Sequence, residues 1–168
     1  LNTDAAFYLF YDDVKGKNIL EIGCADGYMT KKLSEICKSV DVVEPAKTHF
    51  EQVSLLNLEN VSMYNTTIEN FNINKKYDIV LMAGLLHQVP EPEIVLSNLK
   101  KIINPNTMLI ATIPNSNSLH RQLGVHMGLM KNTMDYSDRN KFFHQKTYDL
   151  NLFVNLFTSN NFKIIESF

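Results

Sequence analysis

Apolar and polar positions follow two rhythms along this chain. Asn18 to Gly23, Val40 to Glu44, Val61 to Tyr64, Tyr77 to Ala83 and Thr107 to Ile113 are short aliphatic or β-branched runs bounded by Gly, Asn, Lys or Pro. Such runs predict strands. Between them apolar residues recur every three or four positions: Met29, Leu33 and Ile36 within Gly27 to Cys37, Phe50, Val53 and Leu56 after Pro45, and Val95, Leu99 and Ile102 within Glu91 to Ile103. That spacing predicts helices with one buried face. Asn2 to Val14, with Phe7, Phe10 and Tyr11, and Thr147 to Ser159, with Leu150, Phe153, Leu156 and Phe157, read as two further helices. Phe162 to Glu166 reads as a sixth strand.

Strands alternating with helices predict an α/β fold with a mainly parallel, doubly wound sheet of the Rossmann-like kind. Tyr77 to Ala83 is apolar throughout and reads as a central strand. Ligands of such sheets bind beyond the carboxyl ends of the strands, near the reversal in strand order. One segment breaks the alternation. Residues 115–145 are polar at the start, contain glycine and are rich in His and Met. They read as a helical, lid-like insertion in an otherwise single domain covering 1–168.

Length and composition agree with this reading. A 168-residue chain that is 45% hydrophobic and 20% charged can bury a substantial core. A net charge of -2 gives no general attraction for nucleic acid or an anionic membrane. No apolar run approaches the ~20 residues that span a bilayer. Cys24 and Cys37 form no CxxC and no Cys/His cluster, so no metal site is expected, and both read as reduced thiols of a cytoplasmic protein.

The candidate chemistry lies in "ILEIGCADGYMTKKL", Ile19 to Leu33, a strand, a glycine loop and a helix. A phosphate-cradling P-loop requires a lysine after its second glycine, and the first lysine here is Lys31. A dinucleotide loop requires GxGxxG; Glu44 supplies the acid about 20 residues on, but Ala25 stands where a glycine is needed and Asp26 would oppose a pyrophosphate. S-adenosylmethionine fits better. It has a ribose, no phosphate, and two cationic groups that favour acids over lysines. Its carboxylate suits the N–H groups of a helix N-terminus.

"ILEIGCADG" resembles the first motif of the class I S-adenosylmethionine-dependent methyltransferases, and "VDVVEP" is similar to their acidic second-strand motif. "YDIVLMAGLLHQVPEPEIVLSNLKKIINPNTMLIATIPN" resembles their fourth and fifth strands with the helix between. The resemblance implies that Gly23, Cys24, Ala25 and Gly27 line the methionine part, with Glu21 and Asp26 near its ammonium. It implies that Glu44 holds the ribose beside Pro45, that Thr67 and Ile68 lie at the adenine, and that Ala83 closes the site below the sulfonium. The family's usual acid at the adenine is replaced by Thr67, and its usual Leu-Glu-His-Val by Leu86-His87-Gln88-Val89. "IPNSNSLHRQLGVHMGLM" with "FFHQKTYDL" resembles a subgroup encoded with surface-polysaccharide genes, which implies O-methylation of a sugar or sugar-linked metabolite. The family sheet has seven strands, and none is left for the seventh before Phe168, so a truncated chain is expected.

The expected activity is methyl transfer to an oxygen of a small molecule. A hydroxyl acceptor calls for a base, most often His. His120, His144 and His87 are the candidates, while His49 reads as a surface residue and His126 as off the same helix face. Arg121 reads either as an anion contact or as a solvated charge. Met127, Met130 and Met134 read as the apolar face of the lid, or alternatively as a contact in a homodimer. A non-catalytic S-adenosylmethionine-binding module is the competing reading, and a nicotinamide oxidoreductase a weaker one because of the glycine spacing.

Overall fold

The computed structural model describes residues 3–135 and 145–167. Its contacts divide the chain into two compact units, Leu1–Leu85 with Asn98–Thr112, and Leu86–Ser97 with Ile113–Phe168.

The first unit contains every strand of the described sheet. β1 (Asn18–Ile22), β2 (Ser39–Val43), β3 (Val61–Tyr64), β4 (Ile79–Ala83) and β5 (Met108–Thr112) are all parallel, in the order β3-β2-β1-β4-β5. The order reverses at β1, which pairs with both β2 and β4. The register sets two successive rows on one face: Val61, Val40, Ile19, Ile79 and Met108, then Met63, Val42, Glu21, Leu81 and Ile110. A glutamate therefore stands in the middle of an apolar row. Val40, Val42, Ile19, Ile79 and Leu81 are almost wholly buried, each worth about 1.5–3 kcal/mol relative to exposure.

This face is covered by α1 (Thr3–Leu9), α2 (Tyr11–Val14) and α3 (Tyr28–Ile36), whose Phe7, Phe10, Val14, Met29 and Leu33 join one buried cluster. The helix expected over Asn2 to Val14 breaks at Phe10, which leaves helical geometry (φ -121°) so that its ring and that of Phe7 both enter the core. α4 (Lys47–Ser54) starts two residues later than Pro45. Below the sheet's carboxyl ends, Asp41 is buried on β2 and accepts hydrogen bonds from Lys75 Nζ and Tyr77 Oη, both at 2.7 Å. Burial and that bond push the Tyr77 hydroxyl well above its ordinary range. α5 (Pro92–Ile102) contributes its second half to this unit, with Leu99 buried.

Among its described residues the second unit has helices, loops and one isolated bridge, Asn115 to Tyr148. α6 (Leu119–His126) is followed by turns to Asp135. Met127 and Met134 face solvent, and Met130 packs its sulfur against Gly124. The methionines thus do not form one buried face. α7 (Leu150–Ser159) is capped by Asp149, whose Oδ1 accepts the Leu152 N–H at 2.8 Å. Tyr148, Phe153, Phe157 and Phe162 form a chain of edge-to-face rings 5.2–6.0 Å apart.

The sixth strand expected over Phe162 to Glu166 is not formed. The Phe162 N–H turns back to Phe157 O at 3.0 Å and its ring stacks on Phe157, so the segment leaves α7 as extended chain outside any ladder. The seventh strand lies outside anything the described residues form.

Candidate functional site

The candidate site is built at the carboxyl ends of β1 and β2, beside the reversal in strand order. The ladder runs on past both strands: Gly23 N–H donates to Val43 O at 2.9 Å, and Glu44 N–H to Tyr64 O at 3.0 Å. Gly23, Ala25 and Gly27 then take positive φ of 76°, 48° and 80°. Three such residues in five coil the chain tightly, closed by a Gly27 N–H to Cys24 O bond of 2.8 Å. Gly27 has a second reason to be glycine, since a Cβ would stand 2.7 Å from Val53 Cγ2 of α4. A Cβ on Gly23 would meet Leu85 at 3.3 Å. Ala25 adopts a conformation that L residues rarely take, a detail the residue pattern did not reveal.

Glu44 is the anchor. It is buried, and its carboxylate is fixed by two backbone donors: Cys24 N–H to Oε2 at 3.0 Å and Ala46 N–H to Oε1 at 2.8 Å. The Cys24 thiol also points at Oε2, 3.7 Å away. Burial, with the charges of Glu44 and Glu21, pushes that thiol up to about 12, so it stays protonated. A carboxylate offers about four lone-pair positions. The two N–H groups take two and the Cys24 thiol approaches a third on Oε2, which leaves one on Oε1. His49 Nδ1 stands 3.9 Å from Oε1. Asn65 donates to Glu44 O at 2.9 Å and Pro45 O at 3.1 Å, tying the end of β2 to the residue after β3.

Glu21 lies beneath the loop rather than in it. It is fully buried in its apolar row, and Thr30 Oγ1 of α3 donates to its Oε2 at 2.7 Å, while Oε1 has no hydrogen-bond partner. Burial raises its pKa to about 7; the Thr30 bond opposes that rise and the charge of Glu44 adds to it. Asp26 is exposed and its Oδ1 accepts the Tyr28 N–H at 3.1 Å, turning the loop into α3. Pro45 is exposed, Ile68 is buried, and Thr67 heads a turn in which its carbonyl accepts the Asn70 N–H at 3.2 Å. Ala83 ends β4, half-buried and in register with Thr112.

The first unit thus brings Glu21, Gly23, Cys24, Ala25, Asp26, Gly27, Glu44 and Pro45 into one continuous hydrogen-bonded or covalent neighbourhood. Thr30, Asn65 and His49 belong to it and were not singled out by the sequence. Asn65 is legible in retrospect, because the residue after β3 must neighbour the residue after β2 in a parallel sheet.

His87, His120 and His126 lie in the second unit. His87 is buried and its carbonyl accepts N–H groups from Gln145 at 2.9 Å and Lys146 at 3.1 Å. His120 and His126 are exposed on α6. His144 lies outside the described residues. Arg121 is neither a solvated charge nor an open anion contact: Nε donates to Thr133 O at 2.6 Å and an Nη to Asp135 O. Among the described residues no helix is long and apolar enough to cross a membrane, and no group of three His, Cys, Asp or Glu is placed to hold a metal.

A parallel sheet with a glycine loop after β1 and a buried carboxylate fixed by backbone N–H groups after β2 defines a Rossmann-like protein. The family described as "Methyltransferase domain" matches residues 4–167, and the chain belongs to it, among the class I S-adenosylmethionine-dependent methyltransferases. The family's cofactor is S-adenosylmethionine. The ubiquinone biosynthesis O-methyltransferase of Rickettsia conorii (strain ATCC VR-613 / Malish 7) is 27% identical over 146 residues, 82% of this chain and 50% of that protein. The chain therefore spans about half the length of this curated relative. The plantazolicin methyltransferase BpumL in complex with SAH superimposes with a TM-score of 0.66 at 19% identity, covering 94% of this chain and 60% of that one. The N-terminal domain of EvdMO1, in the presence of SAH and D-fucose, superimposes with a TM-score of 0.51 at 26% identity over 60% of this chain and 46% of that one.

Proposed function

We propose that this chain is the cofactor-binding part of an S-adenosylmethionine-dependent methyltransferase that acts on a hydroxyl oxygen of a small molecule. The observation that carries the cofactor assignment is Glu44, held by the Cys24 and Ala46 N–H groups, with an acceptor position left on Oε1 and only the weak Cys24 thiol contact competing on Oε2. Gly23 and Gly27 shape the adjacent loop, because each takes a positive φ and has Leu85 or Val53 packed where a Cβ would stand. Glu21, Cys24, Ala25, Asp26, Pro45, Thr67, Ile68 and Ala83 complete the proposed cofactor surroundings. When bound, S-adenosylmethionine supplies a methyl group activated by its sulfonium. The chain then has to hold the ribose, exclude water and take a proton from the acceptor.

Oxygen as the acceptor atom is supported by the O-methyltransferase named above. A sugar or sugar-linked hydroxyl is supported by the motif resemblance after β5 and by the fucose present with EvdMO1; a phenolic hydroxyl is supported by the ubiquinone-pathway relative. For the proton, His87, His120 and His144 are the candidate bases. A neutral imidazole near pH 7 suits that task and contributes about 10²–10⁴-fold.

Calorimetry with S-adenosylmethionine tests the cofactor assignment. Glu44→Ala removes a charged acceptor and should weaken binding about 10- to 150-fold. An unchanged affinity in a folded variant rejects the ribose role. Turnover with catechol and with sugar acceptors, before and after replacing each histidine by Asn, separates the acceptor classes and identifies the base.

A further inference from the structure

Glu21 carries more than the proposed cofactor assignment asks of it. The register places it between Val42 and Leu81, with Met63 and Ile110 beyond them, so no side chain in its row can balance a negative charge. One oxygen accepts the Thr30 hydroxyl, and the other is buried without a hydrogen bond. An ionised carboxylate in that position keeps an unsatisfied oxygen out of water, which is costly. A protonated one is neutral and tolerates it far better.

The groups acting on Glu21 are few. Thr30 of α3 favours the ionised form through its hydrogen bond, and Glu44 at the end of β2 opposes it by charge. The thiols of Cys24 in the loop and Cys37 after α3 are both pushed up to about 12 and bring no charge. β4 presents apolar Leu81. Among these groups there is no cation.

We propose that Glu21 makes cofactor binding proton-linked: the ligand-free protein holds a proton on this carboxyl, and a ligand carrying an ammonium displaces it into solvent. The inference rests on the cofactor reading above. The ligand's positive charge supplies the balance that the row and its surroundings lack, so the carboxyl ionises as the cation arrives. The balance is one proton leaving Oε1 or Oε2 for the buffer, with no bond made to the ligand. Glu21 thereby selects for ammonium-bearing ligands over neutral adenosine fragments, and Thr30 sets the pH at which it does so.

Calorimetry at pH 7 in buffers of different ionisation enthalpy reads the protons released. With a carboxyl that titrates near 7, about half a proton should leave per S-adenosylmethionine bound. Affinity should rise about tenfold from pH 6 to pH 8 as the competing proton is lost. S-adenosylhomocysteine, which keeps the ammonium, should release the same fraction; 5′-methylthioadenosine, which lacks both cations, should release none. Glu21→Gln keeps an acceptor for Thr30 and cannot titrate, so S-adenosylmethionine should bind more weakly, with the release abolished and a flatter pH profile. The wild-type minus Gln difference also cancels the ligand amine's own titration. Thr30→Val should move the wild-type profile to higher pH. Binding of S-adenosylmethionine with no proton release, or equal release with 5′-methylthioadenosine, overturns the proposal and leaves the cofactor reading standing. No binding of S-adenosylmethionine by the wild-type protein overturns both. Should Glu21→Gln not fold, the three-ligand series on wild type decides alone.

Discussion

The two units are held together by different means. In the first, the three inner strands are fixed on both sides by register, and chain ends at the sheet's carboxyl edge are tied to their neighbours: Gly23 to Val43, Glu44 to Tyr64, Asn65 to Glu44. In the second, the order comes from a few long-range backbone bonds, such as Ser116 N–H to Tyr148 O at 2.9 Å and Gln145 N–H to His87 O, and from one arginine clasp. Leu119, Leu123 and Met127 recur every four residues on α6, yet all three are more than half exposed. The difference matches the division of labour proposed here. Under that proposal the cofactor is held by the sheet unit, and the candidate bases His87 and His120 belong to the unit without the sheet.

That contrast is broken most sharply at Gly27. Alanine there must accept a φ of +80° and a Cβ 2.7 Å from Val53. The first costs about 1–2 kcal/mol and the overpacking about 1–3 kcal/mol. Urea unfolding of Gly27→Ala should show a loss of about 2–5 kcal/mol together with loss of S-adenosylmethionine binding. Adding Val53→Ala should recover the overpacking part and leave the backbone part. Full stability in the single variant would mean that the loop is not as tightly coiled as described.

The pH dependence of the ligand-free protein is the next largest effect. The pKa of Glu21 is raised to about 7 in the folded chain, from an ordinary 4.5. Between those values the folded state binds more protons than the unfolded, so stability falls as pH rises. At ~1.4 kcal/mol for each pH unit, the loss reaches up to about 3 kcal/mol by pH 7. Denaturant midpoints from pH 5 to pH 7.5 should decline for wild type and decline less for Glu21→Gln. Parallel curves would show that this carboxyl does not titrate there.

Sequence made the first unit readable for the same physical reason that it is rigid. Period-two and period-3.6 patterns report burial directly, and all five strands and the glycine loop were predicted within two residues. What escaped was set by tertiary contact. Thr30 bonding to Glu21 crosses from helix to strand, His49 approaches Glu44 from α4, and Ala25 takes a left-handed conformation midway between Gly23 and Gly27. The second unit hid more. Phe162 to Glu166 has a strand's alternation, but periodicity cannot say whether a ladder partner exists, and Phe162 follows Phe157 instead. Residues 119–127 show a helical period, but Leu119, Leu123 and Met127 are exposed, so periodicity there reports a helix without reporting burial.

Arg121 gives the smallest effect and sharpens the comparison most. Its guanidinium reaches back from α6 to the carbonyls of Thr133 and Asp135, closing the turn that follows the helix. The contact is partly buried, and its planar fork serves two acceptors at once, which an ammonium on a flexible stem does not reproduce. Arg121→Lys should therefore cost at most about 1.5 kcal/mol, and global unfolding should barely register it. Hydrogen exchange should register it clearly, with faster exchange confined to the turn residues 127–135. Because the clasp lies wholly in the second unit, affinity for S-adenosylmethionine should stay within about twofold, while turnover of the acceptor falls. A matched loss of cofactor affinity would show that the two units do not divide the work between cofactor and acceptor. Unchanged exchange in 127–135 would show that the turn holds its shape without the arginine.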